Sequence, residues 1–217
     1  MKDSRIKKIV LTGGPCAGKT RIIGDLGNYL SEKGYYVITL AETATQLIKS
    51  NMLPCMDEKH VLVFQDIILK MQLMKEEMAV RYAKEILPDE DVVILFDRAI
   101  MDNRAYLGTE EAFQYLLNIN NLAEEEIINS YDFVIDLIST ATAKKDVYQL
   151  DGVRSESVDD AMLLDKKTTL AWINHPQMII VKPTEKIEEK SAIVVDEVNS
   201  YLKGIECKNV QFVKRNY

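Results

Sequence analysis

Several common sources of structure are missing from this chain, and each absence excludes something. Cysteine is scarce: Cys16, Cys55 and Cys207 are far apart and odd in number. That excludes a disulfide framework or a metal-ligand spacing and fits a reducing, cytoplasmic setting. Positive charge is not in excess, with 27 Lys and Arg against 34 Asp and Glu and a net charge of −7. Broad electrostatic capture of nucleic acid or an anionic membrane is therefore not expected, and a polyanion must be held locally. No apolar run approaches a membrane span, and the opening "MKDSRIKKIV" is charged, unlike a signal peptide. Repeats, linkers and low-complexity stretches are lacking too. A single domain over residues 1–217, long enough to bury a core, is the expectation.

What is present alternates. Short β-branched runs, "KIVLT" (8–12), "YYVITLA" (35–41), "DVVILFD" (91–97), "DFVIDLI" (132–138) and "QMIIVK" (177–182), are separated by long amphipathic stretches. This is the pattern of an α/β fold, a parallel sheet wrapped by helices. From Asp57 to Leu87, closed by Pro88, the chain reads as one long helix or two stacked ones. Met71, Met74 and Met78 fall there at helical spacing and read as a core stripe. The acidic "AEEEIINS" (123–130) reads as a solvated helix face. The least regular stretch runs from Ser139 to Gly152 and leads to Arg154, and "SVDD" (157–160) offers a helix start. A lid over about 139–175, inserted between the fourth and fifth strands, is predicted.

The strongest motif is Gly13-Gly14-Pro15-Cys16-Ala17-Gly18-Lys19-Thr20, which meets the P-loop pattern between an apolar strand and an amphipathic helix. Backbone N–H groups curl around an anion only where Cβ atoms do not obstruct, and the helix N-terminus adds partial positive charge. Lys19 is expected at the β- and γ-phosphates of ATP or GTP, and Thr20 at Mg²⁺. Cys16 reads as a small residue tolerated in the loop rather than a redox thiol.

Two absences then narrow how a nucleotide is used. A hydrolytic motor of this class places Glu after the Asp that ends the third strand; here Asp97, suited to the Mg²⁺ shell, is followed by Arg98. A Ras-type switch wants Asp-x-x-Gly after that strand and Asn-Lys-x-Asp for guanine, and neither occurs. Phosphoryl transfer to a bound hydroxyl needs other parts: a carboxylate at the acceptor, cations on the transferring group and exclusion of water. Glu42, just past the second strand, is the candidate base, or else a helix cap. Arg98 reaches a substrate or phosphate oxygen, or pairs with a neighbouring acid. Arg154 is the candidate lid cation, with a surface salt bridge as its alternative.

"LTGGPCAGKT", "AETATQLI", "FQDIIL", "FDRAIMDNRAYL" and "RSESVDDAMLLDKKTTLAWINHP" together resemble the NadR and TRPL-translocation-defect type of AAA-labelled P-loop domain, from Ile9 to about Leu202. The resemblance implies a three-layer P-loop NTPase like the nucleoside and nucleotide kinases, with five parallel strands in the order 2-3-1-4-5 and a lid. It implies that Asp97-Arg98 match the Asp/Glu-Arg pair ending the third strand, that Glu42 matches the base of deoxynucleoside kinases, and that Phe64-Gln65 match a pair contacting a nucleoside. Gln65 reads alternatively as a satisfied core amide. Asp165, Trp172 and His175 match the lid-to-fifth-strand pattern in structural roles. The second, triphosphate-tunnel-like domain of the translocation-defect proteins and the adenylyltransferase portion of NadR have no counterpart here, so phosphoinositide binding is not carried over. Two functions follow: a small-molecule kinase acting on a nucleoside-like, small polar acceptor with Mg²⁺ and ATP or GTP, or a GTP- or ATP-binding regulatory protein. Oligomeric state, acceptor and adenine-versus-guanine choice are left open.

Overall fold

The computed structural model describes residues 5–54, 57–139, 158–205 and 207. Its centre is a five-stranded parallel sheet in the order β2-β3-β1-β4-β5. The strands are β1 (Ile6–Thr12), β2 (Tyr36–Leu40), β3 (Val92–Asp97), β4 (Phe133–Leu137) and β5 (Met178–Val181). All five expected strands are present within two residues at each end, in the implied order. Strands β3 and β4 are buried along their whole length, as their continuous apolar runs require in a sheet covered on both faces.

The period of two along each strand sorts the core into two layers. Val10, Ile94, Phe96 and Val134 face one side, with Leu69, Phe113, Leu117 and Trp172. Ile9, Leu11, Val93, Leu95, Phe133 and Ile135 face the other, with Ile22, Leu26, Val194 and Val198. The first layer is covered by α3 (Glu58–Ile86), α4 (Asn103–Tyr106), α5 (Glu110–Ile119), α6 (Glu124–Ser130) and α7 (Val158–Trp172), the second by α1 (Lys19–Glu32) and α8 (Ile187–Leu202). The short α2 (Thr43–Lys49) follows β2.

The segment from Asp57 to Leu87 forms one helix, started by the Asp57 carboxylate accepting from the His60 N–H. The expected methionine core stripe on it does not form. Met74 and Met78 are 55 % and 62 % exposed. Apolar residues lie all round this helix, so their spacing alone did not fix which face the sheet would claim. Within the span expected as a lid, α7 packs into the core, with Ala161, Ala171 and Trp172 buried; residues 140–157, including Arg154, lie outside the described residues. No helix among the described residues is long and apolar enough to cross a membrane.

Candidate functional site

The C-terminal edge of the sheet gathers the polar residues. Leu11 of β1 registers with Asp97 of β3, and Thr12 registers with Asp136 of β4, so the loop leaving β1 emerges between two carboxylates. That loop is Gly13 to Gly18. Gly13 has φ 129° and Gly18 φ 87°, and Cys16, at φ 57°, is also left-handed. A Cβ on Gly13 would lie 2.2 Å from the Leu137 carbonyl oxygen. Only glycine passes there. Helix α1 opens directly at Lys19 with no side-chain cap, which leaves its first turn directed at an anion site. The Lys19 ammonium donates to the Gly13 and Gly14 carbonyls at 3.0 and 2.9 Å, folded across the loop.

The loop is braced from behind by residues distant in sequence. Asp165 of α7 accepts from the Gly14 N–H at 2.7 Å and from the Ser139 N–H, while the Ser139 hydroxyl donates to the Pro15 carbonyl. Lys190 of α8, 1 % exposed, donates to the Ala17 and Ile138 carbonyls at 2.9 and 2.7 Å. Burial lowers this ammonium to about 8. Asp136 lies beneath the same loop; burial raises its carboxyl to about 7, against the 2.5 Å hydrogen bond donated by Thr169.

Facing the loop is an ion-pair cluster. Arg98 follows β3 in a left-handed conformation, φ 63°, buried. Its Nε donates to Glu42 Oε1 at 2.8 Å and its Nη1 to Asp102 Oδ1 at 3.1 Å, while Nη2 is buried with no hydrogen-bond partner among the described residues. Burial would lower the guanidinium; Tyr106, Glu42 and Asp102 outweigh it and hold it well above its ordinary value. Asp102 also accepts from the Thr12 hydroxyl at 2.5 Å, the Ala99 N–H and the Trp172 indole N–H. Glu42 is the N-cap residue of α2, yet its side chain makes no cap hydrogen bond. Its Oε2 instead accepts from Thr45 Oγ1 at 2.6 Å. The turn bearing Glu42 is held on both sides by Lys75 of α3, whose ammonium donates to Ala41 O, Thr43 Oγ1 and Gln46 Oε1. Burial lowers Lys75, partly offset by Asp97 and Glu42.

Thr20 and Asp97 suit a divalent cation. Thr20 Oγ1 lies 3.4 Å from Asp97 Oδ2, and Asp97 Oδ1 is buried without a partner among the described residues. Burial raises the Asp97 carboxyl, and Lys19 pulls it down. A hard cation would satisfy that orphaned oxygen.

The model of a family described as "AAA domain" matches residues 8–190. The chain belongs to that family. A solved structure of NadR, described as in complex with NAD and AMP-PNP, superposes with a TM-score of 0.61 at 13 % identity over 96 % of this chain. The chain spans 53 % of that protein's length. No curated protein matches. This AAA domain thus shares the fold of the NadR structure, with its P-loop between β1 and α1.

Of the residues singled out from sequence, this AAA domain brings together Gly13 to Thr20, Glu42, Asp97 and Arg98. Asp165 and Trp172 join them as braces. His175 is a turn residue: its Nδ1 accepts from the Gln177 N–H and its Nε2 faces the Tyr131 carbonyl. Gln65 is buried on α3, seven residues from Gln72 and so on the same face, where Gln72 accepts from the Asn103 amide. Asp102, Lys75, Asp136 and Lys190 were missed. Asp102 alone left a local signal, four residues after Arg98 in "DRAIMD"; the others meet the site through long-range packing.

Proposed function

We propose that the protein is a small-molecule kinase that moves the γ-phosphoryl of ATP or GTP to a hydroxyl of a nucleoside-like acceptor. The observation carrying this reading is the Glu42 carboxylate, held by Arg98 and Thr45 rather than capping α2, on the side of the sheet edge that bears Asp97. A merely structural cap would face the α2 backbone. Lys19, Arg98 and Arg154 are the cations for the transferring group, and Thr20 with Asp97 would hold Mg²⁺. Bound there, Mg²⁺ supplies charge neutralisation on the phosphates. Lys19 exchanges the Gly13 and Gly14 carbonyls for phosphate oxygens. The acceptor hydroxyl loses its proton to Glu42 as its oxygen bonds to phosphorus, and the bond to the nucleoside diphosphate breaks. The Arg98 guanidinium and the Thr45 hydroxyl hold the Glu42 carboxylate in place for that transfer. A cytoplasmic setting belongs to the same reading, supported by three scattered cysteines that show no disulfide framework.

A second reading, a nucleotide-binding regulatory protein, draws on the size of the space beside Arg98. The cavity lined by Ala41, Thr43, Gln72, Lys75 and Arg98 is about 10 Å³, too small for a nucleoside unless it opens. Incubation with γ-labelled ATP or GTP and a panel of nucleosides separates the two: label on a nucleoside supports the kinase, whereas label only in free phosphate, or none released, counts against it. Glu42→Gln should abolish transfer and spare nucleotide affinity; retained turnover removes Glu42 from the role of base.

A further inference from the structure

We propose that the outward face of α3 is the two-fold contact of a homodimer, two copies of the helix packing antiparallel. The inference does not depend on the reaction catalysed. Helix α3 is 29 residues long, about 43 Å. Its inner face packs on the sheet layer and carries Gln72 and Lys75 to the site. Its outer face exposes Val63, Ile67, Met74 and Met78, which recur at four and seven residues and lie on one line. Single exposed apolar side chains are ordinary, but a continuous row is not. Exposed Tyr115 and Ile119 of α5 extend the row sideways, α5 being tied to α3 where the Asn120 amide donates to Asp66 at 2.8 Å.

The charges beside the row identify the occupant. One flank of α3 carries Asp66, Lys70, Glu77 and Arg81, with Lys59 and Lys84 beyond them at its two ends. About a point between Leu73 and Met74 the order of the first four is self-complementary: Lys70 and Glu77 are equidistant with opposite signs, and so are Asp66 and Arg81. An antiparallel two-fold axis through that point keeps each flank on its own side. It therefore brings Lys70 against Glu77 of the second copy and Asp66 against its Arg81, each pair twice. A parallel two-fold would instead carry this flank to the opposite side, away from its own copy. Within one copy Lys70 pairs with Asp66 and Arg81 with Glu85, all by i,i+4 contacts on the surface. Exposed pairs of this kind contribute little, so exchanging them across an interface costs little.

The row from Val63 to Met78 spans about 22 Å, and α5 adds about 15 Å of length beside it. Methionines at its centre adapt to a facing copy of themselves.

Sedimentation velocity over a concentration series of the whole chain tests the proposal. The wild type should show a concentration-dependent dimer, and Met74→Asp should be monomeric with an unchanged far-ultraviolet circular dichroism spectrum. Lys70→Glu and Glu77→Lys should each raise the dimer dissociation constant at least tenfold, and the combined variant should return it to within about threefold of wild type. A wild type that stays monomeric into the hundred-micromolar range overturns the proposal. So does a dimer that Met74→Asp and the charge exchanges leave untouched.

Discussion

Replacing Asp136 by Asn should flatten the dependence of stability on pH. Asp136 is fully buried at the sheet edge, and burial raises its carboxyl from 3.8 to about 7. The folded state therefore binds a proton that the unfolded chain releases. Between those two values stability falls as pH rises; the stabilising share is complete below about pH 4 and lost above about pH 7. At 1.36 kcal/mol per pH unit, the group costs roughly 2 kcal/mol at pH 5 and about 4 kcal/mol at pH 8. The wild type should thus lose about 2 to 3 kcal/mol between pH 5 and pH 8 that Asp136→Asn does not lose. Asn leaves an amide beside the site of the orphaned Oδ1, at a cost of about 1 to 3 kcal/mol, but that cost is the same at both pH values and cancels. Urea unfolding of both proteins at pH 5 and pH 8, with equal slopes, gives the four free energies needed. Parallel profiles, with the two proteins differing by the same amount at both pH values, would refute the assignment of a buried, proton-binding Asp136.

Gly14→Ala would set a Cβ 2.6 Å from Asp165 Oδ1 and 3.0 Å from its Cα; the rise in melting temperature that ATP or GTP gives the wild type should disappear, as differential scanning fluorimetry would show. Lys75→Met removes three hydrogen bonds from the turn bearing Glu42, so phosphoryl transfer should fall more than nucleotide affinity, a split that initial-rate kinetics beside a binding titration would expose. Trp172→Phe deprives buried Asp102 of one donor and leaves space where the indole was, and chemical unfolding should register a loss of about 2 to 4 kcal/mol.

The sheet and the phosphate loop were legible because their signals are local. A buried parallel strand must be a continuous apolar run, and a backbone cradle must be glycine-rich, so five strands and Gly13 to Thr20 stood out in short windows. Asp97-Arg98 was legible for the same reason, since both close a strand. The supports of the site were not. Lys75 holds the Glu42 turn from 33 residues away, and Lys190 reaches the loop from the opposite end of the chain; neither interaction leaves a trace in local periodicity. The methionines of α3 failed differently. Their spacing correctly implied a shared helix face, but the rotation of the helix depends on which of its apolar sides the sheet covers, and that is a tertiary choice.

Helix α7 touches both halves of the site through two residues seven apart, close to two turns: Asp165 fastens the phosphate loop, and Trp172 fastens Asp102 of the Arg98 ion-pair cluster. It works as a yoke. Any slide or rotation of this helix shifts both fastenings together, so the phosphate loop and the Arg98 cluster have no independent adjustment. Substitutions along α7 should therefore disturb both halves of the site in concert, and selection acting on one half is obliged to carry the other with it.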